Sequence, residues 1–218
     1  MLTLTGYFSL CFAGVGAFVP DTLISLVGGR LAIDFANAGS AKRPLSWEEL
    51  VFFLEATRVI SEERGALLLG LPENDPQAAH GLLERASSFR ASVREILRAL
   101  LRRTEPLPEA IESVNDLLRV TEGHDELRHD GKRWRIEFVA REGGLEWLLA
   151  AIARSAAEIL AEAITDTHVR VCANPECGLY FYDASRTSRR RWCAMAVCGN
   201  RHKVASFARK HAGERRAG

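Results

Sequence analysis

The chain reads as an α+β protein: a mostly helical N-terminal body with a few strands, among them a β-hairpin, followed by a small C-terminal module of treble-clef or ribbon-like type built around a metal. Three observations carry that reading. Apolar residues recur at helical spacing through most of residues 47–165, alternation of period two takes over only around Asp130-Gly131, and four of the five cysteines crowd into residues 172–198. With 218 residues, 47% hydrophobic and 26% charged, the chain is long enough for a substantial core and is neither disordered nor fibrous.

The first 22 residues form an N-terminal extension or first strand. The run from Tyr7 to Val19 is apolar, but no Lys or Arg precedes Arg30 and no small-x-small pattern closes it, so a secretory signal fits poorly. Gly14, Gly16 and Pro20 interrupt it, and it falls short of the roughly 20 apolar residues a membrane span needs. The expectation is a cytoplasmic protein with no membrane partner.

The body is expected to span residues 23–168. From Leu23 to Ala36, Gly28-Gly29 separates two apolar runs, which fits strand, turn, then strand or helix start. Asp34 and Asn37 at its end are candidates to line a ligand pocket, with capping and turn formation as the other reading. Ser46 three residues before Glu49 makes a capping box, so a helix is expected from about Trp47 to Thr57. Asp75-Pro76 then caps a long helix with Ala79, Leu82, Ala86, Phe89, Val93, Ile96, Leu97 and Leu100 inward. Arg90, Arg94, Arg98 and Arg102 are expected on its solvated face, paired with Glu residues. After Pro106 and Pro108 another amphipathic helix runs toward Gly123. The alternation around Asp130-Gly131 predicts a hairpin, since both turn residues tolerate positive φ. A last helix from about Leu145 to Thr165 leads by a short connection into the cysteine module, residues 169–218.

Charge divides at the same place. The whole chain has net charge +1. From Arg170 onward there are 11 Lys and Arg against 3 acids, a net +8, so the first 169 residues hold 18 against 25, a net −7. An acidic body with a basic tail points to a polyanion partner for the tail. Cys172-x4-Cys177 and, fifteen residues on, Cys193-x4-Cys198 form two knuckle-like pairs, and four thiolates make a closed tetrahedral Zn²⁺ site. Buried free cysteines or disulfides are the competing readings. A closed site leaves no position for water or substrate, so the zinc is expected to be structural and a zinc hydrolase is disfavoured. Arg186, Arg189, Arg190 and Arg191, interleaved with Ser185, Thr187 and Ser188, form a loop rich in phosphate donors, and Arg201, Lys203, Arg209 and Lys210 lie on an expected helix from Ala194 to Ala212 that Gly213 ends. Tyr180 to Tyr182 form a short strand, and Trp192 packs in the module's small core. Gly199 is expected to allow close backbone approach to the thiolates, with Asn200 either orienting that turn or contacting a base.

The segments Cys172-Ala-Asn-Pro-Glu-Cys-Gly, Asp183-x-Ser-Arg, Arg190-Arg191-Trp192-Cys193-x-Met195 and Cys198-Gly199-Asn200-Arg201-x-Lys203 resemble the CGNR zinc finger. Upstream, Leu23 to Ser40, with Gly29, Leu31, Asp34 and Asn37, is similar to the start of the ABATE domain, which precedes that finger in its family. The resemblance implies a bacterial cytoplasmic stress-response regulator of transcription. It implies zinc on Cys172, Cys177, Cys193 and Cys198, DNA at the finger, Asn200, Arg201 and Lys203 in the signature helix, and a small-molecule or protein effector at the larger domain. A non-enzymatic adaptor binding RNA or an acidic protein surface is the alternative, and a homodimer would enlarge the small footprint of one finger. No catalytic constellation stands out elsewhere.

Overall fold

The helices that start at Trp47, Glu62 and Pro76 do so at side-chain caps the sequence supplies. In a computed structural model of the chain, residues 25–39, 44–119, 123–129, 131, 134–140, 144–163 and 168–214 are described, and the expectations for residues 1–22, for Asp130 and for the connection at 164–167 lie outside them. Ser46 accepts from the Glu49 amide while Glu49 accepts from the Ser46 amide, a complete capping box that starts α2, Trp47–Ala56. Ser61 caps α3, Glu62–Leu69, and Asp75 caps α5, Pro76–Arg102, whose first-turn proline has no amide to leave unpaired. Between them lies the single turn of α4, Leu71–Asn74. α6, Pro108–Arg119, and α7, Trp147–Glu162, follow the expected apolar spacing.

Of the two apolar runs around Gly28-Gly29, the described part of the first, residues 25–27, forms no strand and the second is helical. Gly29, with φ of +75°, turns the chain into α1, Leu31–Asn37, and every residue of α1 after Leu31 is buried. α1 is therefore the centre of the body. It packs on α5 and α7, and Phe35 meets the rings of Phe53 and Phe89 at 5.4 and 5.9 Å. Each such pair contributes about 1 kcal/mol beyond its buried area. The Ala32 amide donates to Ser155 Oγ at 3.2 Å, and Trp47 Nε1 donates to the Leu68 carbonyl at 2.9 Å, tying α1 to α7 and α2 to α3.

The arginine row on α5 departs from expectation. Arg98 and Arg102 are exposed, but Arg90 is buried and Arg94 half-buried. Arg90 donates to the Ala38 carbonyl, and Arg94 to the Ala36 carbonyl at 2.8 Å. Both serve the C-terminal end of α1, where free carbonyls need donors and the helix dipole favours cations. The hairpin forms as expected: β1, Gly123–His129, pairs antiparallel with β2, Trp134–Ala140, with Leu127 opposite Ile136 and Gly131 at φ +86°. Among the described residues no helix is long and apolar enough to cross a membrane.

Candidate metal centre and basic loop

The C-terminal module grows from a two-stranded pair, β3, Val169–Val171, and β4, Tyr180–Tyr182. One edge of β4 pairs with β3. Its other edge is taken by the body: the Tyr182 amide donates to the Gly28 carbonyl at 2.7 Å, while the Asn37 side-chain amide donates to the Tyr180 carbonyl at 2.8 Å and accepts from its amide at 3.0 Å. Asn37 thus imitates a neighbouring strand. Arg30 lies over the Tyr182 ring at 4.5 Å and bridges to Glu162 at 2.7 Å, and Glu162 also accepts from the Tyr182 hydroxyl at 2.9 Å. Tyr180 and Val169 join the body's core, while Val27 packs with Cys172, Phe181, Cys193 and Cys198. Body and module share their packing across this seam.

Asp34 sits beneath the same seam, and its carboxylate accepts the Gly28 amide at 2.7 Å. Burial, against the hydrogen bonds from the Gly28 and Val27 amides, pushes its pKa up to about 7. The polar atoms of the two candidate ligand residues are thus spent inside the fold.

Between β3 and β4 the chain makes the first knuckle. Asn174 Oδ1 accepts the Glu176 amide, the Asn174 carbonyl accepts the Cys177 amide, and Gly178 takes φ of +65° to turn into β4. The second pair enters a π-helical turn, Met195–Gly199, that continues as α8, Asn200–Glu214. Gly199 is crowded differently from expectation. A Cβ there would meet Met195 Sδ at 2.3 Å, so glycine makes room for Met195 and Trp192 rather than for the thiolates. α8 also runs through Gly213, because the last turns of an exposed helix tolerate a glycine at a cost of about 1 kcal/mol.

The sulfurs of Cys172, Cys177, Cys193 and Cys198 lie within 4.8 Å of one another, with Cys177 to Cys193 at 3.6 Å and Cys193 to Cys198 at 3.8 Å. A tetrahedron of Zn–S bonds near 2.3 Å has edges of about 3.8 Å, so the donor set fits one structural zinc ion. The chemistry of the cluster agrees. Burial pushes the Cys177 thiol up to about 11 and Cys193 higher still, while Cys172, against burial, is held below its usual value by the Cys193 and Asn174 amides. A bound cation is what makes four adjacent thiolates compatible. The Asn174 side-chain amide, 3.6 Å from Cys198 Sγ, adds a donor to the sulfur shell.

Next to the cysteines, Asp183 organises the basic loop. It is fully buried; one oxygen accepts from the Ser185 amide at 3.1 Å and hydroxyl at 2.6 Å, the other from the Arg190 amide at 2.9 Å. Burial alone would raise its pKa, but these bonds and the nearby Arg170 hold the carboxyl below its usual range. The loop between its two anchors includes Ser188 at φ +47°. Arg186, Arg189 and Arg191 are exposed, with Arg191 stacked 5.1 Å from the Trp192 ring. Arg190 is committed elsewhere: it donates to the Trp192 and Cys193 carbonyls and lies 4.6 Å over Phe181. Arg201 and Lys203 are exposed on α8, the Asn200 side-chain amide donates to the Ala196 carbonyl at 3.0 Å, and Arg209 and Lys210 lie on the same helix. His202 is exposed and stacks 4.8 Å from Trp192.

Residues 168–211 match the family model of the CGNR zinc finger, and residues 29–163 match that of ABATE, "Putative stress-induced transcription regulator". The chain belongs to the ABATE family. It carries the family's layout, the ABATE domain followed by the zinc finger, and neither family is described as an enzyme. No curated protein matches the chain. Asp183 was legible only as part of a motif, and Asn37 offered no sign that its partner lay 143 residues away.

Proposed function

We propose that this ABATE-family protein is a cytoplasmic, non-enzymatic regulator of transcription that binds DNA through its zinc finger. The observation that carries the reading is the loop held by Asp183. It keeps Arg186, Arg189 and Arg191 exposed beside the four-cysteine site, with the Thr187 and Ser188 hydroxyls between them, on a module of net charge +8. Arg201 and Lys203 on α8 extend the cationic surface, with Arg209 and Lys210 continuing it in sequence; Asn200 supports the start of α8. Zinc on Cys172, Cys177, Cys193 and Cys198 gives the loop a rigid base. The boundaries we assign are 23–168 for the effector domain and 169–218 for the finger.

The effector part of the proposal follows from the seam. A small molecule or protein that reached Asp34 or Asn37 would compete with the backbone of Gly28 and Tyr180, and would change how firmly the finger is held. The test is fluorescence anisotropy of the zinc-loaded chain on a short mixed-sequence duplex at low salt, with a single-stranded RNA of equal length as competitor. Saturable binding that the RNA displaces no better than unlabelled duplex supports the reading. No binding, or displacement favouring RNA by about tenfold or more, overturns it in favour of an adaptor.

A further inference from the structure

Among the surfaces of the described residues that expose large apolar side chains, two on helices have flanking charges of opposite sign. On α8, Val204 is 69% and Phe207 67% exposed. The exposed charges beside them are Arg201 and Lys203, and the sequence adds Arg209 and Lys210. α8 packs chiefly on the π turn before it, so its own body does not cover this face. On the body, Phe52 of α2 is 50% and Leu67 of α3 76% exposed. Glu48 stands four residues before Phe52 and Glu55 three after, which puts all three on one helix face, and Glu63 stands four before Leu67. α2 and α3 together carry Glu48, Glu49, Glu55, Glu62 and Glu63 against Arg64, which lies over the Trp147 ring at 5.2 Å, and with Arg58 in the turn between them the surface is still net negative. Glu55 lies directly against Gly65, and burial together with Glu62 pushes its carboxyl up.

We propose that two copies of this chain pair reciprocally, the basic apolar face of α8 of each lying on the acidic apolar surface of α2 and α3 of the other. Charge selects this pairing. Two α8 helices placed together would oppose like charges, whereas the exchange covers Val204 and Phe207 with Phe52 and Leu67 and matches Arg201 and Lys203 to glutamates. In the dimer, phosphate contact therefore rests on the loop, Arg186, Arg189 and Arg191, and in the monomer α8 adds to it. The hairpin also exposes apolar residues, Leu127, Trp134 and Ile136, but its strands set Asp125, Glu126 and Glu137 against Arg128 and Arg135, a net −1 where α2 and α3 hold five glutamates against Arg64, so it attracts a basic helix less. The exchange is isologous and closes on a two-fold axis, so it stops at a dimer. A helix of 15 residues is about 22 Å long. Two such contacts come near the roughly 1,000 Å² expected of a weak interface, so the dimer should be concentration-dependent.

Sedimentation velocity of the zinc-loaded full chain over a micromolar concentration range tests this without nucleic acid. The expected result is a shift from 24.1 kDa toward twice that mass. Phe207→Glu on α8 and Phe52→Glu on α2 should each weaken the dimer by about tenfold or more, with zinc content and far-ultraviolet circular dichroism unchanged. The pair Arg201→Glu with Lys203→Glu should also weaken it, and adding Glu48→Lys with Glu63→Lys to the same chain should restore it, a rescue that a merely unfolded variant cannot give. A monomer at every concentration overturns the proposal. So does a dimer indifferent to these changes but lost on Ile136→Glu, which would move the interface to the hairpin.

Discussion

At the scale of single residues, Asn37 and Asp34 show how two polar side chains inside a mostly apolar helix become structural joints. Asn37→Ala removes both partners of the Tyr180 backbone and leaves a buried amide and carbonyl unpaired. At 1 to 3 kcal/mol for each orphaned group, the loss should be on the order of 3 kcal/mol, measured by urea unfolding of the zinc-loaded chain, with zinc affinity little changed. Asp34 gives a pH signature. Its folded pKa of about 7 lies above the ordinary 3.8, so the folded state binds the proton more tightly than the unfolded one. Stability from this group is full below pH 4 and is lost as pH rises through 7, at about 1.4 kcal/mol for each pH unit between the unfolded and folded pKa values. Zinc affinity runs the other way, since protons compete for thiolates. Comparing Asp34→Asn with the parent chain between pH 5 and 7 isolates the carboxyl: the variant should lose the decline, and an identical pH slope in both would show that Asp34 is not protonated in the fold.

At the scale of elements, what the sequence disclosed depended on whether a signal was local. Ser46 with Glu49, Asp75 with Pro76, and the Asp130-Gly131 turn act within a few residues, and the corresponding helices and hairpin formed where expected. α1 was ambiguous because a short run buried on all sides has no periodicity to separate helix from strand. α3 and α4 were not foreseen, since their start signal, Ser61, is followed by a sequence with two exposed leucines and a weak apolar stripe. Arg90 and Arg94 went astray for a tertiary reason: nothing in α5 announces that the carbonyls of α1 end against it. The four cysteines were legible because ligand spacing is itself local, and the basic loop's position followed from them; its anchor, Asp183, required the fold. Asp183→Ala should loosen the loop, measured as faster amide hydrogen exchange from Ser185 to Arg190, while the four cysteines keep their zinc. Protection equal to that of the parent chain would mean the carboxylate does not hold the loop. Removing zinc with a chelator should expose residues after 169 to protease while the helices from 47 to 119 stay protected, and uniform protection throughout would show that the metal is not structural.

At the scale of the whole molecule, the −7 body and the +8 module meet through a seam of β4 backbone, Asn37 and Tyr180, with Asp34 beneath it, Arg94 of α5 lying 5.5 Å from the Tyr180 ring, and the Arg30–Glu162 ion pair at its edge. The seam uses the inner side of the finger and leaves Arg186, Arg189 and Arg191 exposed. Arg190 marks the difference between a cation that serves the fold and cations available to a ligand, since its guanidinium is spent on two carbonyls and a ring. The most direct measurement is the salt dependence of duplex DNA binding for the zinc-loaded chain and for its Arg186→Ala, Arg189→Ala, Arg191→Ala variant. A regulator that grips phosphates through this loop should lose affinity linearly in log salt, and the variant's slope should be shallower by about 0.9 for each contact removed. Equal slopes for parent and variant would contradict a DNA-binding role for the loop.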